Sequence, residues 1–169
     1  DDPVLQDLCV NSLPIGELDM SEYDIVFFAG GWGAAWDLGR SEVVGEQASA
    51  AIANEAVIGG VCHGPLGLLQ AKNPDGTSFV EGRRLTAVTD RQVTQLGISH
   101  TPQHPETELR NAGAQFESTR HKRRDVFANH VVVDGDLITG QNQNAGPMVA
   151  REMMQRVIAK LADKVGAEG

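Results

Sequence analysis

The sequence predicts an α/β fold: a mostly parallel sheet covered by helices on both faces, with an antiparallel piece near its C-terminal end. Three observations predict it. Short β-branched, apolar runs close on glycine turns, helical spacing follows each of them, and an Asp-Gly pair separates two β-branched runs in the last third of the chain. The 169 residues allow one domain over residues 1–169 with a substantial core, and are too few to argue for two.

The elements follow in order. Tyr23-Asp24-Ile25-Val26-Phe27-Phe28-Ala29, closed by Gly30-Gly31, reads as a buried parallel strand entering a glycine turn. Residues 41–55 carry helical spacing, with Ser41 as N-cap and Val44, Ala48, Ala51 and Ile52 as the apolar stripe. Ala56-Val57-Ile58-Gly59-Gly60-Val61 is a second buried strand. Residues 64–71 then predict a helix, with Pro65 near its start and Leu66, Leu68 and Leu69 to bury. Asn73-Pro74-Asp75-Gly76 is a turn by its residue types, and residues 82–88 offer a third strand. Shorter helices are expected over residues 90–96 and 105–112, the latter ended by Gly113. Val131-Val132-Val133 and Leu137-Ile138-Thr139 flank Asp134-Gly135 as a hairpin, and a closing amphipathic helix runs from Gly146 or Pro147 to about Val165. No internal repeat, linker or low-complexity segment interrupts the pattern.

Composition excludes several classes of function. Apolar content of 41% and charged content of 22% are those of an ordinary globular protein. A net charge of −9 argues against a nucleic-acid backbone or an anionic membrane as partner. His121-Lys122-Arg123-Arg124, the one basic cluster, reads as a solvated loop. No run approaches the ~18 apolar residues of a membrane span and no signal peptide is visible, so a cytoplasmic location is expected. Cys9 and Cys62 have no CxxC relation and form at most one bridge, which fits a reducing compartment. The chain opens at Asp1 instead of methionine, so an N-terminus that is processed, truncated or recorded incompletely is expected.

The segment Gly60-Val61-Cys62-His63-Gly64-Pro65 carries the chemistry. It has the form G-x-C-x-G, the cysteine version of the nucleophile elbow, in which a sharp strand-to-helix turn needs small residues two positions either side of the nucleophile. A thiol at the N-terminus of the following helix is expected to have its pKa lowered below ~8.5. The His63 backbone N–H, with a second donor from Gly31 or a neighbour such as Gly33 in Gly30-Gly31-Trp32-Gly33, would form an oxyanion hole. The bland alternatives are a Cys62 that is only a small buried hydrophobe and a His63 satisfied by local hydrogen bonds; the flanking glycines and the two preceding strand-helix units favour the nucleophile. Gly31-Trp32-Gly33 begins like a dinucleotide fingerprint but has Trp36 where the last glycine belongs. His100, His104, His121 and His130 stand at no diagnostic zinc spacing, so no metal is assigned.

At these residues the chain resembles the DJ-1/PfpI superfamily, and within it the class I glutamine-amidotransferase-like proteins of the Hsp31 chaperone/glyoxalase III group. The resemblance runs through Phe27-Phe28-Ala29-Gly30-Gly31, Trp36-Asp37-Leu38, Val61-Cys62-His63-Gly64-Pro65, and Val131-Val132-Val133-Asp134-Gly135 to Leu137-Ile138-Thr139-Gly140-Gln141-Asn142. It implies a flavodoxin-like three-layer sandwich, a homodimer, Cys62 as nucleophile with His63 beside it, and no cofactor. It further implies a glyoxalase III-like conversion of methylglyoxal to lactate, or a deglycase; a holding chaperone with a vestigial site, or an amidase or isocyanide-hydratase-like enzyme, is the alternative.

Three departures from the family pattern matter. The family's first strand and helix, with a glutamate that hydrogen-bonds the nucleophile, have no counterpart here, and Glu17 is a poor substitute; a second polypeptide or an unrecorded N-terminal segment is expected to supply them. After the third strand, where relatives carry an acidic run that can orient the histidine, Thr89-Asp90-Arg91-Gln92-Val93-Thr94 has only Asp90, which is the candidate third catalytic residue unless it serves as a helix N-cap. Ala29 replaces a proline before the Gly-Gly turn, a change that bears on loop rigidity more than on chemistry.

Overall fold

The computed structural model describes residues 2–167. The chain opens with α1 (Pro3–Val10), which buries none of its side chains. Strand β1 (Ile25–Phe28) leads through the glycine turn into a short α2 (Ala34–Asp37) and then α3 (Glu42–Ala53), whose N-cap is the Ser41 hydroxyl accepting the Val44 N–H. Strand β2 (Val57–Val61) is followed by a 3-10 helix (Gly64–Leu68). The remaining strands and α-helices are β3 (Arg84–Leu85), α4 (Asp90–Gln95), α5 (Pro105–Asn111), β4 (Gln115–Phe116), β5 (Val131–Asp134), β6 (Leu137–Gly140) and α6 (Gly146–Ala167).

The main sheet has the order β1-β2-β6-β5, with β1, β2 and β6 parallel and β5 antiparallel to β6 across the Asp134-Gly135 turn. Alternation along the central strands builds three layers. From β2 and β6, Ile58 and Leu137 join a core with Val44, Ala48 and Ala51 of α3, while Val57, Val61 and Ile138 meet Val149 and Met153 of α6 on the other face. This is the mostly parallel α/β sandwich that the alternating pattern implied. Edge strand β1 leaves Phe27 42% exposed, an apolar ring beside an open sheet edge.

Two expectations are corrected. Residues 82–88 form a strand only at Arg84 and Leu85, paired in parallel with β4. Beyond it the backbone binds other groups: the Thr86 N–H donates to the Thr139 hydroxyl at 2.9 Å and the Val88 N–H to the Cys62 carbonyl at 3.0 Å. The helix expected over residues 64–71 is a 3-10 helix of five residues, because Gly64 and Gly67 lie directly against Phe28 and leave no room for the wider α-helical path.

At the opposite end of the strands, Asp136 joins α6 to the hairpin. Its carboxylate accepts from Arg156 Nε at 2.5 Å and Lys160 Nζ at 2.7 Å, and Lys160 also donates to the Glu55 carbonyl beyond α3. Burial alone would raise the Asp136 pKa, but the two cations outweigh it and hold the carboxyl below its ordinary range. A carboxyl with a depressed native pKa stabilises the fold above its unfolded value of 3.8 and loses that contribution as pH falls through the native pKa. In denaturant titrations, Asp136→Asn is expected to cost about 1 kcal/mol at pH 7. The difference from wild type should shrink below pH 3.8; equal stability of the two proteins at pH 7 would contradict this.

Candidate active site

The turn after β2 brings Cys62 to φ +59°, a left-handed conformation that costs a non-glycine residue roughly 1–2 kcal/mol. Its neighbours impose it. The Cys62 N–H donates to the Gly140 carbonyl at 3.1 Å, and its carbonyl accepts the Val88 N–H. The glycines that the elbow pattern required are there for space. A Cβ on Gly64 would collide with the Phe28 carbonyl, and one on Gly30 would lie 2.7 Å from Cys62 Cβ. The turns at the carboxyl ends of β1 and β2 are therefore pressed together, at the sheet edge where open α/β folds bind ligands.

Cys62 is partly buried, with its Sγ 3.4 Å from Nδ1 of His63. The backbone N–H groups of His63 and Gly31 both reach the sulfur, so these two residues of the expected oxyanion hole converge on one point. Gly33 does not join them: it stands at the start of α2, where its carbonyl accepts the Trp36 N–H at 3.0 Å.

The electrostatics weigh against a standing thiolate. Burial pushes the Cys62 thiol above the ordinary cysteine value, and the two backbone N–H groups offset this only in part. A 3-10 helix of five residues supplies little of the dipole that a full helix would bring. His63 is 2% exposed, and burial together with the nearby His104 charge pushes its pKa below the ordinary histidine value. Both shifts favour the uncharged forms, a thiol and a neutral imidazole. Such a pair works by general-base transfer of the thiol proton as the sulfur attacks, instead of from a standing ion pair.

Asp90 does not touch His63. The N-cap of α4 is Thr89, in a capping box with Gln92, and Asp90 follows it as the first helical residue. From there its carboxylate turns to the start of α5, accepting from the Thr107 hydroxyl at 2.6 Å and lying 3.5 Å from Nδ1 of His104. Nε2 of His63, on the far side of the ring from Cys62, is buried and has no hydrogen-bond partner.

The residues leading into α5 form a wall beside the elbow that the sequence did not reveal. Trp32 Nε1 donates to the Thr101 hydroxyl at 3.2 Å, and Trp36 packs edge-on between Trp32 and His100 at ring distances of 5.3 and 5.9 Å. No spacing rule links residue 32 to residue 101; only the packing of α5 on the turn after Cys62 does. A cleft of about 610 Å³ lies at the other end of the strands, between Ile58, Asp136 and Lys160. Three of its lining cations, Arg83, Arg156 and Lys160, are paired with Asp134 and Asp136. Among the described residues no cluster of three or more His, Cys, Asp or Glu side chains could hold a metal ion, and no helix is long and apolar enough to cross a membrane.

Known proteins share this arrangement of elements. The chain is 30% identical over 153 residues to the glutathione-independent glyoxalase hsp3101 of Schizosaccharomyces pombe, covering 86% of this chain and 59% of that protein. It is 29% identical over 130 residues to the glutathione-independent glyoxalase HSP31 of Saccharomyces cerevisiae, covering 75% and 54%. It therefore spans less than two thirds of the length of these relatives. Among solved structures, Rapid Encystment Protein 24 KDa of Francisella tularensis superposes with a TM-score of 0.82 at 26% identity over 92% of this chain and 68% of that one. Glyoxalase III of Candida albicans has the same fold, with a TM-score of 0.72 at 23% identity over 84% of this chain and 60% of that one. The profile of the DJ-1/PfpI family matches residues 7–156, and the chain belongs to that family.

Proposed function

We propose that this chain is a cofactor-free, cysteine-dependent enzyme acting on small reactive carbonyls, with the glyoxalase III reaction, methylglyoxal to lactate, as its chemistry. The observation that carries this reading is the thiol of Cys62 on a strained turn, with an imidazole nitrogen at 3.4 Å and two backbone N–H groups at the sulfur. The names of the fungal relatives, glutathione-independent glyoxalases, point to the same carbonyl chemistry. A deglycase would use the same first step. We place the protein in the cytoplasm, as a homodimer.

Cys62 Sγ adds to the aldehyde carbon while its proton passes to His63 Nδ1 and on to the carbonyl oxygen, giving a hemithioacetal. The N–H groups of Gly31 and His63 stabilise the oxygen as charge develops. A base removes the proton on the former aldehyde carbon, and its return to the neighbouring carbon leaves a thioester of lactate. Water then hydrolyses the thioester, releasing lactate and restoring the thiol. We assign the carbon base to a glutamate supplied with the family's first strand, by a second polypeptide or by residues before Asp1. The open edge of β1, the exposed ring of Phe27, and the exposed Val4, Leu5 and Leu8 of α1 are the surfaces such a segment would cover.

A second reading, a holding chaperone with a vestigial site, is favoured by two observations: the raised thiol pKa and the unpartnered Nε2 of His63.

Lactate formation from methylglyoxal without glutathione should fall on the order of 10⁴-fold in Cys62→Ala. Turnover by neither protein, with client aggregation suppressed equally by both, would sink the enzyme reading. Because His63 must be neutral to accept the thiol proton and its pKa is pushed below 6.5, kcat/KM should hold steady as pH falls to 6.5 and decline only below it. A decline already complete at that pH would contradict the assigned base. Native mass spectrometry of the active species should give a mass beyond a whole number of 18.1 kDa chains. A stable, active species of 18.1 kDa with no second chain would rule out the added segment.

A further inference from the structure

The loop that touches Cys62 also carries two indoles that the carbonyl chemistry does not use. Trp32 is 45% exposed and Trp36 46%, and neither belongs to the apolar clusters that form the two cores. Aromatic side chains left this far in water contribute little burial to the fold. Beside a reactive group they mark a place for apolar ligand surface.

The wall is fastened between two loops. The Trp32 indole N–H donates to the Thr101 hydroxyl at 3.2 Å, and Trp36 meets Trp32 at 5.3 Å and His100 at 5.9 Å, both edge-on. Farther along, the Arg40 guanidinium donates to the Pro102 carbonyl at 3.4 Å, and Gly39 leaves no room for a methyl group against the Gln103 amide. Rings held in this way lose little further freedom when a ligand meets them.

Covalent geometry puts the wall next to the thiol. A Cβ on Gly30 would lie 2.7 Å from Cys62 Cβ and 3.5 Å from the His63 nitrogen. Trp32 stands two residues on, so its Cα is within about 7 Å of the Gly30 Cα. The oxyanion donor Gly31 lies between them. A methyl group on a carbonyl bound there covers little of either indole, whereas a flat aromatic ring offers each of them an apolar face of its own kind.

We propose that Trp32 sets the substrate specificity of the site: with Trp36 it holds a flat aromatic substituent on the carbonyl, so that aryl 2-oxoaldehydes are used in preference to methylglyoxal. The inference rests on the carbonyl chemistry proposed above for Cys62. With phenylglyoxal, Sγ bonds to the aldehyde carbon, the proton on that carbon passes to the neighbouring carbon, and water cleaves the thioester to give mandelate and the free thiol. No external oxidant or reductant enters.

The test compares kcat/KM for phenylglyoxal and methylglyoxal in the protein expressed from its full gene. The ratio of the two is expected to fall about tenfold in Trp32→Ala and to stay near the wild-type ratio in Trp32→Phe, which keeps a flat ring. If Trp32→Ala does not fold, Trp32→Leu takes its place, with an apolar side chain but no ring. A ratio unchanged by loss of the ring, with methylglyoxal still turned over, would overturn the proposal. Binding gives a second reading that needs no turnover, because both tryptophans of the 169 residues stand in this wall. Mandelate should change the indole fluorescence saturably, lactate should not, and the mandelate effect should vanish in Trp32→Ala. If wild type turns over neither aldehyde, the carbonyl chemistry fails and the mandelate titration alone decides the wall: a saturable change lost in Trp32→Ala supports it, and no change in wild type overturns it.

Discussion

The site depends on one steric constraint: the turn ending β1 and the turn ending β2 occupy nearly the same space. Gly64 has no room for a methyl group against the Phe28 carbonyl, and Gly30 has almost none against Cys62. With both glycines in place, the backbone at Cys62 can be held at φ +59° by Gly140 and Val88. The strain is therefore sustained by the parallel sheet itself, through β6 on one side and the segment after β3 on the other. The same contact brings the Gly31 N–H to a sulfur that belongs to the next strand.

What this constraint does not supply is charge. It fixes where the thiol, the imidazole and two N–H donors stand, but the burial it imposes disfavours both the thiolate and the imidazolium. A buried neutral pair becomes reactive only if a further group stabilises the proton as it moves. Geometry and electrostatics are thus separable here: two glycine turns secure the first and leave the second unfavourable.

The parts of this architecture legible in the sequence are those set by local pattern. The runs at Ile25–Phe28 and Val57–Val61, the Asp134-Gly135 hairpin and the Ser41 cap each follow from neighbouring residues, and G-x-C-x-G marked the elbow without any fold in hand. The parts that were not legible are decided by distant partners. Residues 86–88 look like strand, yet their N–H groups serve Thr139 and Cys62. Asp90 is offered as a partner for His63 because relatives carry acidic residues after the third strand, but it follows the Thr89 capping box and its carboxylate meets Thr107 and His104. His104 itself has no local signature. Its contact with Asp90 joins residues from separate elements, and no spacing along the chain announces it.

The central claim is that Cys62 attacks the carbonyl carbon, and the measurement that addresses it most directly is peptide mass mapping of protein quenched with acid during methylglyoxal turnover. The account predicts a methylglyoxal-derived adduct on the peptide carrying Cys62, formed within the time of one turnover and lost again as substrate is exhausted. Turnover that proceeds with the Cys62 peptide unmodified, and adducts only at Cys9 or at surface lysines and arginines, would contradict it.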